Sequence, residues 1–93
     1  MSAVQDAIAF LQQRKKDLRG SELISRLQSL GFRVRDCKKI GHKQVSHGEL
    51  DGFFGSSFTC GHGADDQVKP AYVGKMIAVL KMYQEELEEL ESP

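Results

Sequence analysis

Lys38-Lys39-Ile40-Gly41-His42-Lys43-Gln44-Val45-Ser46-His47 gathers two histidines and three lysines around one glycine. The glycine marks a tight turn, and the alternation after it predicts a short, basic strand over 42–47. Val45 is the one strongly apolar residue in that strand. If Val45 faces a core, the odd positions point inward, and His42, Gln44 and Ser46 point to solvent. His42 then stands on an outward, basic sheet face. By the same parity His47 lies inward, and His62 lies inward or just past a strand end, so both are weaker candidates for chemistry.

The flanking sequence supplies partners for this strand. Phe32-Arg33-Val34-Arg35-Asp36-Cys37 alternates apolar and polar, which predicts a strand with Phe32 and Val34 inward and Arg33 and Arg35 outward. Residues 56–61 read as a third strand with Phe58 and Cys60 inward, and the Gly- and Asp-rich 48–55 segment reads as a long hairpin connection. Before the sheet, Ser21 is positioned to cap a helix whose stripe is Leu23, Ile24, Leu27 and Leu30, and Gly31 stops it. After the sheet, Pro70 at a favoured first position opens a helix with Val73, Met76, Ile77, Leu80, Tyr83, Leu87 and Leu90 on one stripe.

An earlier helix over about 3–16 is predicted from the Ser2/Gln5 capping-box pattern and from Val4, Ala7, Ile8 and Leu11 at helical spacing. Arg14, Lys15 and Lys16 fall where cations complement the carbonyl end of that helix. At the other extreme, Glu85, Glu86, Glu88, Glu89 and Glu91 put negative charge where a helix end disfavours it, so this tail is expected to fray. The fold class is therefore α+β: a three-stranded antiparallel sheet with flanking helices, preceded by an extra N-terminal helix. Ninety-three residues make one domain, here 1–93, divided into an extra helix over 1–19, a core over 20–84 and an acidic tail over 85–93.

The formal net charge of zero conceals an asymmetry. All thirteen Lys and Arg fall between Arg14 and Lys81, where they meet seven acids, an excess of about +6. A basic body suits a polyanion such as RNA, and a solvated surface accounts for the charge equally well. No run approaches the roughly 18 apolar residues of a membrane span, and the start lacks the basic-then-apolar order of a secretory signal. The expected address is cytoplasmic, with Cys37 and Cys60 as reduced thiols.

From Ser21 to Lys81 the residues resemble the HicA family of bacterial toxins. Ser21-Glu22-Leu23-Ile24 opens a helix; the basic stretch ends in His42; Val45-Ser46-His47 follows; Thr59 precedes His62-Gly63; and Lys69-Pro70 leads into an apolar helix. The resemblance covers about two thirds of the chain. It implies a double-stranded-RNA-binding-domain-like fold, helix-strand-strand-strand-helix, and an mRNA interferase of a toxin-antitoxin pair with a HicB-like antitoxin partner. In that family a Gly-Ser-His motif carries the catalytic histidine, and the match here is Ile40-Gly41-His42, which implies that His42 acts. Gly48 stands where a proline commonly follows the second histidine.

The chemistry suits the residues in their own right. Cleaving RNA through its own 2′-hydroxyl requires a base beside that hydroxyl, and an imidazole with an ordinary pKa of about 6.5 moves protons near neutrality without a metal or cofactor. Lys39 and Lys43 flank His42, and with Arg33 and Arg35 on the neighbouring strand they are the expected phosphate-binding residues. A zinc site is a rival, because Cys37, His42, His47, Cys60 and His62 are metal-type ligands, but their spacing matches no zinc knuckle. A hydrolase triad lacks a nucleophile elbow. The remaining alternatives are a non-catalytic RNA-binding module and a protein-interaction domain.

Overall fold

The structure is a computed structural model describing residues 2–39, 41–60 and 66–91. The chain runs α1 (Ala3–Gln13), α2 (Gly20–Ser29), β1 (Arg33–Asp36), β2 (His42–Ser46), β3 (Ser56–Thr59), α3 (Pro70–Met82) and α4 (Gln84–Glu91). It is an α+β domain whose strands form one open antiparallel sheet in the order β1-β2-β3. One face of the sheet is buried through Phe32, Val45 and Phe58 and joins the helices in a single core.

Helix α1 begins on a true capping box. The Gln5 N–H donates to Ser2 Oγ at 3.1 Å, and the Ser2 N–H donates to Gln5 Oε1 at 3.3 Å. Val4, Ala7, Ile8 and Leu11 are buried, and the helix packs on α3 and α4 rather than standing apart. It ends at Gln13 with Arg14 as its C-cap, so the basic cluster follows the last carbonyls rather than lying in the last turn. Arg14 instead folds back onto Asp17 Oδ1 at 3.0 Å and the Glu22 carboxylate at 2.9 and 3.0 Å. Those bonds, to Asp17 first and then Glu22, raise its pKa further above an already high value.

Helix α2 starts one residue before the expected cap, and Ser21 is inside it. Its first N–H groups are satisfied from afar: Asp66 O accepts from Gly20 at 2.6 Å, and Asp66 Oδ2 accepts from Ser21 at 3.4 Å. Glu22 Oε1 accepts from the Arg19 N–H at 3.1 Å. Leu23 and Leu27 are buried, and Gly31 ends the element at φ 90°, a left-handed conformation that favours glycine.

The C-terminal helix is two helices. Tyr83 interrupts it at φ −106°, ψ 17°, and α4 continues over the acidic segment that the charge pattern predicts to fray. Leu87 is 2% exposed, Ser2 Oγ donates to Glu88 Oε2 at 2.9 Å, and α4 packs on α1. Burying a leucine contributes about 1.5–3 kcal/mol, against about 0.3–1 kcal/mol for each acid at an unfavourable helix end. The break also changes the sign of part of that electrostatic effect, because Glu85 and Glu86 now lie in the first turn of a helix, where acids are favoured. Among the described residues, no helix is long and apolar enough to cross a membrane.

Candidate nucleic-acid interface

His42 is positioned by the turn before it. Gly41 sits at φ 83°, a conformation a side chain would strain, and the turn closes when the His42 N–H donates to Lys39 O at 3.2 Å. His42 O then accepts from Cys37 at 3.0 Å, and Gly41 O accepts from Cys60 at 3.0 Å, so backbone on both sides holds the first residue of β2 in register. Ile40 lies outside the described residues.

The register builds an exposed polar face in rows. His42 lies opposite Thr59, Gln44 lies between Arg35 and Ser57, and Ser46 lies opposite Arg33. His42, Arg33, Arg35, Gln44 and Ser57 are exposed; Ser46 and Thr59 are half-buried. Arg35 is one row from His42 on the adjacent strand, a diagonal separation of about 7–8 Å, and Arg33 is a further row along. An imidazole, two guanidiniums, an amide and hydroxyls thus share one surface. That surface can hold phosphates while leaving a ring nitrogen of His42 open to a substrate proton. The inward parity of Phe58 and Cys60 already turns Ser57 and Thr59 outward, and strand pairing between residues distant in sequence sets them beside Gln44 and His42.

The predicted phosphate-binding set divides. Lys39 is exposed in the turn that leads into His42, beside this face. Lys43 alternates to the opposite face, its side chain 22% exposed, where Nζ donates to Asp36 Oδ1. That bond, more than any other influence, raises the Lys43 pKa. Lys43 therefore stands with the core side of the sheet and not with His42.

His47 is a structural ring. The Glu49 N–H donates to Nδ1 at 3.1 Å, which makes Nδ1 the acceptor and leaves Nε2–H to donate to Leu30 O at 3.1 Å. Phe32 meets it edge-on, with centroids 4.7 Å apart and planes at 85°. His62 lies outside the described residues. Of the other metal-type side chains, Cys37 is exposed at the His42 end of the sheet, whereas Cys60 is buried on the opposite side and its thiol pKa is pushed up by that burial. Among the described residues, no three His, Cys, Asp or Glu side chains gather as a metal site.

A concavity borders the loop end of the sheet. It is a cleft of about 380 Å³ between the end of α2 and α4, lined by Leu30, Gly31, Arg33, His47, Leu87 and Leu90 among others. Arg33 borders it, whereas His42 does not and stands on the exposed sheet face. Comparisons of the chain with protein-family models, with curated proteins and with solved structures find no match.

Proposed function

We propose that this chain is a divergent HicA-like endoribonuclease that uses His42 to cleave RNA, with α2-β1-β2-β3-α3 as a double-stranded-RNA-binding-domain-like core and α1 and α4 as additions. The observation that supports this most is the placement of His42: exposed, fixed by backbone at a turn, and on the same sheet face as Arg33 and Arg35. In the proposed reaction His42 takes the proton of a 2′-hydroxyl. The 2′-oxygen then attacks the adjacent phosphorus, and the bond to the 5′-oxygen breaks, leaving a 2′,3′-cyclic phosphate. The departing 5′-oxygen is protonated by solvent or by the protonated His42 after it moves across. Arg35 stabilises charge on the phosphate, and Arg33 and Lys39 hold neighbouring phosphates. This route draws on no metal. A HicB-like antitoxin would act by covering the same face.

No side chain among the described residues hydrogen-bonds the His42 ring, whereas His47 has partners on both nitrogens. This contrast favours a second reading, a module that binds RNA through phosphates without cutting it. Product-end analysis tests the choice: RNA incubated with the purified chain should yield 2′,3′-cyclic phosphate and 5′-hydroxyl ends, and the matching DNA should remain intact. Equal cutting of DNA rules out attack by the 2′-oxygen. Intact RNA that is nevertheless bound establishes the binding module.

A further inference from the structure

Phe54 is 99% exposed, the most exposed of the large apolar side chains among the described residues. It lies in the connection between β2 and β3, and that connection is anchored on its N-terminal side. Leu50 is 4% exposed, and Leu50 O accepts from the Phe53 N–H at 3.3 Å. The Phe53 ring meets Phe32 and Tyr83 edge-on at 5.8 and 5.5 Å, and Tyr83 Oη donates to Gly52 O at 3.1 Å. β3 anchors the other side from Ser56. Phe53 turns inward and Phe54 outward, so the exposed ring is held on a fixed support.

The surroundings of the ring indicate its ligand. Glycines at 52 and 55 place no side chain beside it, so it presents free faces rather than forming part of an apolar patch. The charged side chains of the loop are Glu49 and Asp51, both exposed, which disfavour a phosphate on the loop itself, so the ring is suited to meet an uncharged base. Phosphate-binding charge begins next to the loop. Arg33 lies in the sheet row nearest it, Arg35 in the next, and His42 in the third, opposite Thr59. Phe54 precedes Thr59 by five residues, a span of about 17 Å along an extended strand.

On the RNA reading above, we propose that Phe54 is a stacking platform for an unpaired nucleobase of single-stranded RNA whose phosphates run over Arg33 and Arg35 toward His42. A base inside a duplex has both faces covered by its neighbours, so the platform selects a splayed base and makes single-stranded RNA the substrate class.

The chain has no tryptophan, so Phe54→Trp carries a sole indole reporter on a side chain whose exposure makes the change harmless to folding. The probe is a 2′-O-methyl oligoribonucleotide of mixed sequence, which has no free 2′-hydroxyl to cut. It is compared with an abasic version of the same strand and with its blunt duplex. The expected result is quenching of the indole by the single strand and not by the abasic strand or the duplex. Phe54→Ala should weaken single-strand binding by about 5- to 150-fold, Phe54→Trp should retain it, and the salt slope should stay unchanged because no phosphate contact is lost. Wild-type binding by Phe54→Ala, with loss of binding in Arg33→Gln/Arg35→Gln, overturns the platform while leaving the RNA interface standing. Equal quenching by duplex overturns the single-strand preference. Absence of RNA binding by the wild-type chain overturns both the platform and the RNA reading beneath it.

Discussion

Replacing each of the two described histidines by alanine should separate a ring that holds the fold together from a ring presented to a substrate. His47→Ala removes the donor to Leu30 O, worth about 0.5–1.5 kcal/mol because the adjoining cleft lets water replace it in part. It also removes the edge-on contact with the buried Phe32, about 0.5–1.5 kcal/mol, and leaves a void beside that ring, about 1 kcal/mol. The sum is a loss of about 2–4 kcal/mol. With a urea dependence of about 1–1.5 kcal/mol per molar for a chain of this size, the midpoint should fall by about 2 M. A domain of this length has about 5–14 kcal/mol in hand, so the variant stays folded without denaturant. His42→Ala exposes no core and should move stability by under about 0.5 kcal/mol. Urea unfolding followed by far-ultraviolet circular dichroism reads both. Equal midpoints for the two variants, or a drop of more than about 1 M for His42→Ala, would refute the division of roles.

Arg33→Gln/Arg35→Gln should lower the slope of log affinity for single-stranded RNA against log salt by about 1.4, whereas Lys43→Gln should leave it unchanged; a matching loss in Lys43→Gln would place that lysine on the interface. Iodoacetamide should modify Cys37 in the folded chain and Cys60 only after unfolding, so labelling of both thiols under native conditions would contradict the burial of Cys60. Because burial raises the Cys60 pKa, the folded state holds this proton more tightly than the unfolded chain does. Its contribution to stability is complete below about pH 9 and is lost as pH rises above that; Cys60→Val should flatten this alkaline decline in a pH series of urea midpoints. Leu87→Ala should cost about 2–3 kcal/mol by loosening α4 from α1, and a change below about 0.5 kcal/mol would mean that α4 is not docked.

Most of the scaffold is legible where the signal is local. The Ser2/Gln5 pair marks the start of α1, Gly31 marks the end of α2, and Val45 alone sets the parity of β2, which places His42 outward. Harder positions depend on partners distant in sequence. Asp66 satisfies the start of α2 across 45 residues, a role no helix-capping pattern around Ser21 displays. The docking of α4 depends on α1 at the other end of the chain, so a charge pattern read by itself predicts fraying where burial of Leu87 prevails. Lys43 is next to His42 in sequence, yet alternation puts it on the opposite face, where Asp36 takes it. Adjacency in sequence and adjacency on a face are opposites within a strand, so the parity that places His42 outward also places Lys43 inward.

The most direct test of His42 as the group that cleaves RNA is to measure cleavage and binding together, in excess chelator, for the wild-type chain and His42→Ala. The nuclease reading predicts chelator-resistant cleavage that falls by about 10²-fold or more in the variant, while affinity for an uncleavable RNA stays within about twofold. Unchanged cleavage by His42→Ala, or wild-type binding with no cleavage at all, would contradict it.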